Sequence, residues 1–331
     1  MIAYVLRSLA QAVLVLLAVG LIAFAMFRFV GDPIANLVGQ EASQADRREL
    51  AERLGLNDPI IVQFGRFARD AAQGEFGISY RHGRKVSALL AERLPATMEL
   101  AMLSALFATS AGILFGVYTA IRSDGWLSHV IMTASLIGVS LPTFLIGIGL
   151  IYLFAVELRW LPSFGRGATV EIGWWTTGLL TESGRASLVM PVLTLGFFQL
   201  TLIMRLVRAQ MLETLRTDYV KFARARGLPE PRIHFKHALR NTMIPVVTIA
   251  GLQFGSVVAF AIVTESVFQW PGLGALFVQA VQFVDVPVMA AYLLFVATVF
   301  IVVNLIVDLL YYALDPRLRT GRVVGGQTLR V

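Results

Sequence analysis

Residues Val288–Leu314 read VMAAYLLFVATVFIVVNLIVDLLYYAL. The run carries one acid, Asp308, near its end, and no base. A helix that crosses the hydrocarbon core of a bilayer needs roughly 20 mostly apolar residues, and this stretch supplies them without the polar stripe that a surface helix of a soluble domain shows. Five further runs have the same character: Leu9–Phe29, Glu99–Ile121, Leu127–Val156, Leu188–Leu206 and Thr242–Phe268. The third is long enough to tilt or to contain a break at Pro142. The sequence therefore predicts an all-α polytopic membrane protein with six transmembrane helices. Ala23-Phe24-Ala25 matches a signal-cleavage pattern, but the apolar stretch before it is longer than a signal h-region and Arg28 follows closely, so the first run reads as an uncleaved span.

Composition agrees. Of 331 residues, 57% are hydrophobic and 15% charged, with mean hydropathy +0.73, whereas soluble domains run near ~25% charged. Intrinsic disorder is excluded on the same grounds. There are no cysteines, which excludes disulfides, thiolate zinc sites and cysteine nucleophiles. The net charge of +7 raises nucleic acid as a partner until its location is read. With the N-terminus inside, the inner segments hold Arg7, Arg122, the basic run from Arg205 to Arg240, and Arg317, Arg319, Arg322 and Arg330, while acids and bases of the outer 31–96 loop balance. That is a positive-inside pattern. It removes the case for nucleic acid, puts both termini in the cytoplasm and leaves anionic lipid as the natural partner of the inner face. The expected organisation is an N-terminus over 1–8, a first span over 9–30, an extracytoplasmic cap over 31–96, a five-helix membrane core over 97–316 with a cytoplasmic loop at 210–240, and a tail over 317–331.

The outer segments carry weaker signals. Ser43-Gln44-Ala45-Asp46 opens a candidate helix with Leu50 and Leu54 on one side and Gly55 at its end, before the turn Leu56-Asn57-Asp58-Pro59. The cap is either packing over the spans or a docking surface. The loop from Glu157 to Ala186 holds Trp160, Trp174 and Trp175, residues that favour the membrane interface. The segment from Glu265 to Pro287 contains Trp270-Pro271-Gly272-Leu273-Gly274, a turn.

The inner loop is more informative. Thr217-Asp218 offers a cap and an acid for a helix N-terminus; Tyr219 to Arg226 continues as helix; Gly227 stands at C′ with Pro229 beyond. Tyr219, Phe222, Ala223 and Arg226 fall at i, i+3, i+4 and i+7, hence on one face. Such a helix either rests on lipid headgroups or fits a partner's groove. His234 and His237, whose nearest acid in sequence is Glu230, make a poor metal site, and no metal is expected.

These residues resemble a known family. Asp218-Tyr219-Val220-Lys221-Phe222-Ala223-Arg224-Ala225-Arg226-Gly227-Leu228 is similar to the cytoplasmic EAA-type loop of ABC importer permeases. The continuation His237-Ala238-Leu239-Arg240-Asn241-Thr242-Met243-Ile244-Pro245 resembles the dipeptide/oligopeptide version, as does Glu265-Ser266-Val267-Phe268-Gln269-Trp270-Pro271-Gly272-Leu273-Gly274 with Asp285 and Pro287. Met1–Arg7, Arg93–Leu100 and Tyr312–Arg317 point to the B-type subunit. Lys221 stands where the general pattern has glutamate and Phe222 where it has its first alanine, whereas Ala223 and Gly227 are kept; a proline expected before Gly31 is absent.

The resemblance implies the fold of a type I importer permease in a bacterial inner membrane. It also implies peptide substrates handed over by an extracytoplasmic solute-binding protein, a second homologous permease subunit, and two ATPase subunits or domains. ATP and Mg would sit on those ATPases, with no cofactor on this chain. The ATPase-coupling residues it implies are Asp218, Tyr219, Phe222, Ala223, Arg224, Arg226 and Gly227. No Gly-Lys-[Ser/Thr] phosphate loop occurs in the sequence.

Polar residues inside spans face cavities or other helices. Ser140 and Thr143 flank Pro142, and Gln253 and Ser256 share the fifth span; they are candidates for the transport pathway, with hydrogen bonding between helices as the alternative. Asp308 near the inner end pairs with a base, and Glu99 and Arg28 near the outer ends are read as snorkelling. Gly112-x-x-x-Gly116 and Gly251-x-x-x-Gly255 permit close helix contact, either as fixed packing or as a moving interface. Rival functions are the same architecture moving nickel chelates, glutathione or another small solute; an ion-coupled secondary transporter, against which the lack of a central acid counts; and a membrane anchor.

Overall fold

The computed structural model describes residues 2–29, 52 and 57–314. The predicted cap helix around Ser43–Gly55 and the tail 317–331 lie outside the described residues, as does the Asp308 side chain. In chain order come α1 (Ile2–Phe29), α2 (Ile60–Ala72), α3 (Val86–Ile121), α4 (Trp126–Ser140), α5 (Thr143–Leu150), β1 (Val170–Ile172), β2 (Trp175–Thr177), α6 (Glu182–Leu215), α7 (Asp218–Ala225), α8 (Arg240–Val267), α9 (Leu273–Gln282) and α10 (Val286–Leu314). Wide π-helical turns extend α5 through Ile151–Glu157 and lead into α8 from Ile233–Leu239, the latter preceded by a single turn at Glu230–Arg232. Among the described residues, five helices are long and apolar enough to cross a membrane, six when α4 and α5 are taken as one broken span.

The third span is broken rather than tilted. Leu141 and Pro142 separate α4 from α5, and Pro142 has φ −56° and ψ 138°, an extended conformation no helix can carry. The second span starts earlier than its apolar run, at Val86, and Pro95 lies within it. The 157–186 loop contains an antiparallel hairpin with Val170 opposite Thr177 and Ile172 opposite Trp175. Its two-residue turn is Gly173-Trp174, and Gly173 takes φ +64°, a conformation that favours glycine. In the 265–287 segment, the turn after α8 leads into α9.

The chain forms two compact units, one within residues 1–104, 141–195 and 255–301, the other within 105–140, 196–254 and 302–331. In the first, Val86, Leu89, Leu276, Ala280, Val288, Met289 and Ala291 pack together, and α2 lies on α1 through ring contacts of Phe24 with Phe64 at 5.6 Å and of Phe27 with Phe67 at 5.5 Å. In the second, Val117, Ala120, Ile203, Val207, Met211, Ala238 and Val246 form the core. The glycine pairs are packing devices: a Cβ on Gly112 would lie 2.9 Å from Ile203 Cβ, and one on Gly116 would lie 2.6 Å from Val207 Cβ. Gly251 is backed by Val307 and Gly255 by Phe300, both on α10.

Candidate functional site

α7 begins after Thr217, which has φ −70° and ψ 155° but does not cap with its side chain. Its hydroxyl donates to the Thr214 carbonyl at 2.6 Å, so the expected side-chain cap is not made. The C-terminus is closed as the glycine signalled. Gly227 adopts φ +75°, its N–H donates to the Arg224 carbonyl at 2.9 Å, and the Leu228 N–H reaches back to the Ala223 carbonyl at 3.3 Å. This is a Schellman end with Gly227 at C′. An added Cβ there would meet nothing within 4 Å, so the glycine is required by the backbone and not by crowding.

Helical spacing alone groups Ala223 with Tyr219, Phe222 and Arg226. Packing separates them. Val220 and Ala223 are buried against Ile233, with Leu215 and Leu228 alongside; Tyr219 is 44% and Phe222 64% exposed. Ala223 is small because Ile233 lies over it, and the outward surface consists of Tyr219, Phe222 and Arg226, with the Arg226 guanidinium 5.7 Å from the Phe222 ring centre. Two tethers join α7 to the turn at Glu230 and to α8. Arg224 Nε donates to Glu230 Oε1 at 2.9 Å, and Asn241 Nδ2 donates to the Tyr219 hydroxyl at 2.8 Å. Tyr219 is thereby linked to the first turn of α8. Beside it opens a cavity of about 630 Å³ lined by Lys236, His237, Arg240, Asn241, Met243, Ile244 and Val247. His234 Nε2 lies 3.1 Å from Glu230 Oε2, and no cluster of three or more metal-ligating residues occurs among the described residues.

Of the span residues singled out as polar, Ser140 is exposed at the end of α4, while Thr143, Gln253 and Ser256 are half-buried. None of their side chains is hydrogen-bonded within the described residues. The Gln253 backbone carbonyl accepts from Gln199 Nε2 at 3.1 Å. Gln199, buried on α6, carries no special mark in sequence beyond being an amide within an apolar run.

Three buried acids organise the first unit. Glu99 does not snorkel. It is 3% exposed and accepts from Arg166 Nη2 at 2.6 Å, from the Thr177 hydroxyl at 2.6 Å and from the Gly178 N–H at 3.0 Å. Arg166 also donates to the Thr176 hydroxyl and carbonyl, so the ion pair ties the hairpin to α3. Glu265, fully buried, accepts from the Thr97 hydroxyl at 2.6 Å and the Ala275 N–H at 2.9 Å. The residues of the Trp270–Gly274 motif close around it. The Trp270 Nε1–H donates to the Ala96 carbonyl at 3.0 Å. A side chain on Gly272 would collide with the Glu265 carboxylate, and one on Gly274 would sit 2.6 Å from Ile262 Cα. Asp285 accepts from the Ser79 hydroxyl and the Tyr80 N–H, and burial, reinforced by Asp285, pushes the Tyr80 phenol up to about 12. Paired polar contacts between residues far apart in the chain leave no local signature, although isolated carboxylates at the ends of apolar runs are themselves a flag for buried partners.

Comparison with known proteins gives a consistent result. The family model described as "Binding-protein-dependent transport system inner membrane component" matches residues 112–320, and its N-terminal companion matches residues 1–101. The chain is 36% identical to the dipeptide transport system permease protein DppB of Alkalihalophilus pseudofirmus, over 96% of this chain and 100% of that one. It is 37% identical to the di/tripeptide transport system permease protein DppB of Pseudomonas aeruginosa, over 97% and 100%, and 38% identical to the probable D,D-dipeptide transport system permease protein DdpB of Escherichia coli, over 93% and 95%. Among solved structures, an inward-facing MetNI methionine ABC transporter chain superposes with a TM-score of 0.55 at 19% identity, covering 69% of this chain and 96% of that one, a likeness of fold.

Proposed function

The chain belongs to the binding-protein-dependent transport system inner membrane component family, and from that premise we propose that it is a permease subunit of an ATP-driven importer of short peptides. The observation that carries the substrate class is similarity over nearly the whole length to permeases of dipeptide and tripeptide transport systems. A second homologous permease subunit completes the pathway, an external solute-binding protein delivers the peptide, and two ATPase subunits or domains, which hold ATP and Mg, dock on α7.

The excess of basic residues in the inner segments supports an orientation with both termini, α7 and its flanking cavity in the cytoplasm. Tyr219, Phe222 and Arg226 form the outward surface that an ATPase groove receives, with Asp218 and Arg224 at its edges. Ala223 holds the helix to Ile233 and Gly227 ends it. A displacement of α7 is transmitted to α8 through the Tyr219–Asn241 hydrogen bond, on its first turn, and through the Arg224–Glu230 pair, on the segment preceding it. Ser140, Thr143, Gln253 and Ser256 line the pathway. Their side chains make no hydrogen bond among the described residues, which supports this reading, because a polar group left without a partner in hydrocarbon costs free energy that water in a channel relieves.

The test is gentle purification of the tagged chain from its native membrane, with mass spectrometry of what accompanies it. The proposal expects a second six-span permease, ATPase subunits and a solute-binding protein that holds a peptide. Isolation of the chain alone, from a preparation that keeps other membrane complexes intact, contradicts it.

A further inference from the structure

Within the second unit, a cavity of about 290 Å³ is lined by His129, Met132, Thr133 and Leu136 of α4 and by Arg205 and Arg208 of α6. The two arginines are three residues apart on one helix, hence on one face. Among the described residues, no carboxylate lines the cavity and neither arginine is in an ion pair. Arg205 Nε is buried with no acceptor. A buried donor left unmade costs about 1–3 kcal/mol, more when charged. The site is therefore built for an anion that the described residues do not supply.

The surroundings identify the anion. Met132 and Leu136 make one wall apolar, and Leu136, Ile137 and Val130 are each about half exposed on the same helix, as residues facing acyl chains are. Trp126, at the start of α4, is 76% exposed, where an interfacial tryptophan anchors a span. His129 Nδ1 lies 2.9 Å from the Gly125 carbonyl, which only accepts, so the Nδ1–H is committed there and the ring is held at the cavity rim. The volume lies at the lower bound of drug-sized sites, near ~300 Å³. It takes a phosphate group with a few waters, not a peptide. A guanidinium pair presents forked donors that match phosphate oxygens.

We propose that this cavity binds the phosphodiester headgroup of an anionic phospholipid, with its acyl chains along α4. The proposal requires only that α4 and α6 lie in a membrane and does not depend on the importer reading. Arg208 stands two turns before the end of α6, the helix that leads into α7, so the headgroup steadies the segment on which α7 is mounted.

The test uses the full complex that purifies with the tagged chain, stripped of lipid and returned to nanodiscs of phosphatidylcholine alone or of phosphatidylcholine with phosphatidylglycerol. Native mass spectrometry then counts the anionic lipid retained. Each guanidinium near a charged headgroup contributes about fivefold in affinity, so R205Q/R208Q is expected to retain phosphatidylglycerol about 30-fold less tightly. Arg232→Gln, at a basic residue of the turn before α8 that does not line the cavity, is expected to retain it normally. Should the double variant fail to assemble, the single Arg208→Gln variant carries the same test at about fivefold. Equal retention by wild type and variants overturns the proposal. So does arginine-dependent binding of inorganic phosphate with no lipid retained, which would make the ligand a soluble phosphate. So does loss of a partner subunit from the double variant with the lipid count unchanged, which would make the arginines a protein contact.

Discussion

Replacing Gly227 by alanine isolates the contribution of backbone conformation to the coupling helix. Gly227 has φ +75°, and a Cβ there would touch nothing within 4 Å in this chain. The cost of Gly227→Ala is therefore conformational alone, about 1–2 kcal/mol for holding an L-residue in the left-handed region. An eight-residue helix is not stable by itself, and α7 is held by a three-residue cluster of Val220, Ala223 and Ile233. The strain consequently shifts local opening of α7, by about 5–30-fold, without weakening the membrane core. Asparagine tolerates the same conformation, so Gly227→Asn restores the helix end while adding more bulk than alanine does. Hydrogen exchange followed residue by residue in the assembled complex should show amides of 221–228 exchanging about 5–30-fold faster in Gly227→Ala and near the wild-type rate in Gly227→Asn. Peptide taken up per ATP hydrolysed should fall in the first variant and hold in the second. Wild-type exchange in Gly227→Ala would refute the strain argument. A Gly227→Asn protein as uncoupled as Gly227→Ala, with its helix intact, would show that the glycine serves a partner's need for space.

Other perturbations test the rest of the architecture. Glu99→Gln leaves the buried Arg166 guanidinium without its counter-charge and should cost about 3–5 kcal/mol, read as a lower midpoint of thermal unfolding in detergent. Glu99→Leu with Arg166→Met should recover most of the loss, and an unaffected Glu99→Gln protein would mean the pair contributes nothing. Gly116→Ala drives a methyl to 2.6 Å from Val207 Cβ and should cost about 1–3 kcal/mol by overpacking; adding Val207→Ala should relieve it, and additivity of the two losses would contradict the packing assigned to α3 and α6. The Tyr80 phenol is raised from 10.0 to about 12 in the folded state, so the folded chain holds that proton more tightly than the unfolded one. Its contribution is fully present below pH 10 and is lost as pH rises from 10 to about 12. Tyr80→Phe should flatten that part of an alkaline unfolding curve.

The membrane runs are legible in the sequence because a span is a long apolar word that no soluble element imitates, and Val288–Leu314 is contained in α10. Boundaries are less so. The first turns of α3, Val86 to Met98, include Glu92 and Arg93 and so fall outside an apolar window, yet they are helical because Val86 and Leu89 pack against α9. The hairpin strands have three residues each, too few to show alternation. α9 does carry a signal in Leu273, Leu276 and Ala280, at i, i+3 and i+7, overshadowed by the turn motif before it. For the site, Gly227 and Pro229 mark the end of α7 unambiguously. Which side of α7 faces outward is not readable from its own spacing, because Ile233, on the next segment, decides it. The burial of Glu99 is hidden for the same reason: its partner Arg166 lies in a loop whose fold no local pattern reveals.

Whether this chain carries short peptides across a membrane at the expense of ATP hydrolysed by partners docked on α7 is decided most directly by uptake into proteoliposomes. These contain the complex purified with the tagged chain, its solute-binding protein and a mixture of dipeptides and tripeptides, with ATP supplied on the ATPase-docking side and the transported peptides identified by mass spectrometry. Peptide should accumulate only when ATP is present, and accumulation should be lost when Phe222, the most exposed large apolar side chain of α7 at 64%, is replaced by aspartate. ATP hydrolysis with no peptide accumulated, or uptake by Phe222→Asp equal to wild type, would contradict the proposed function.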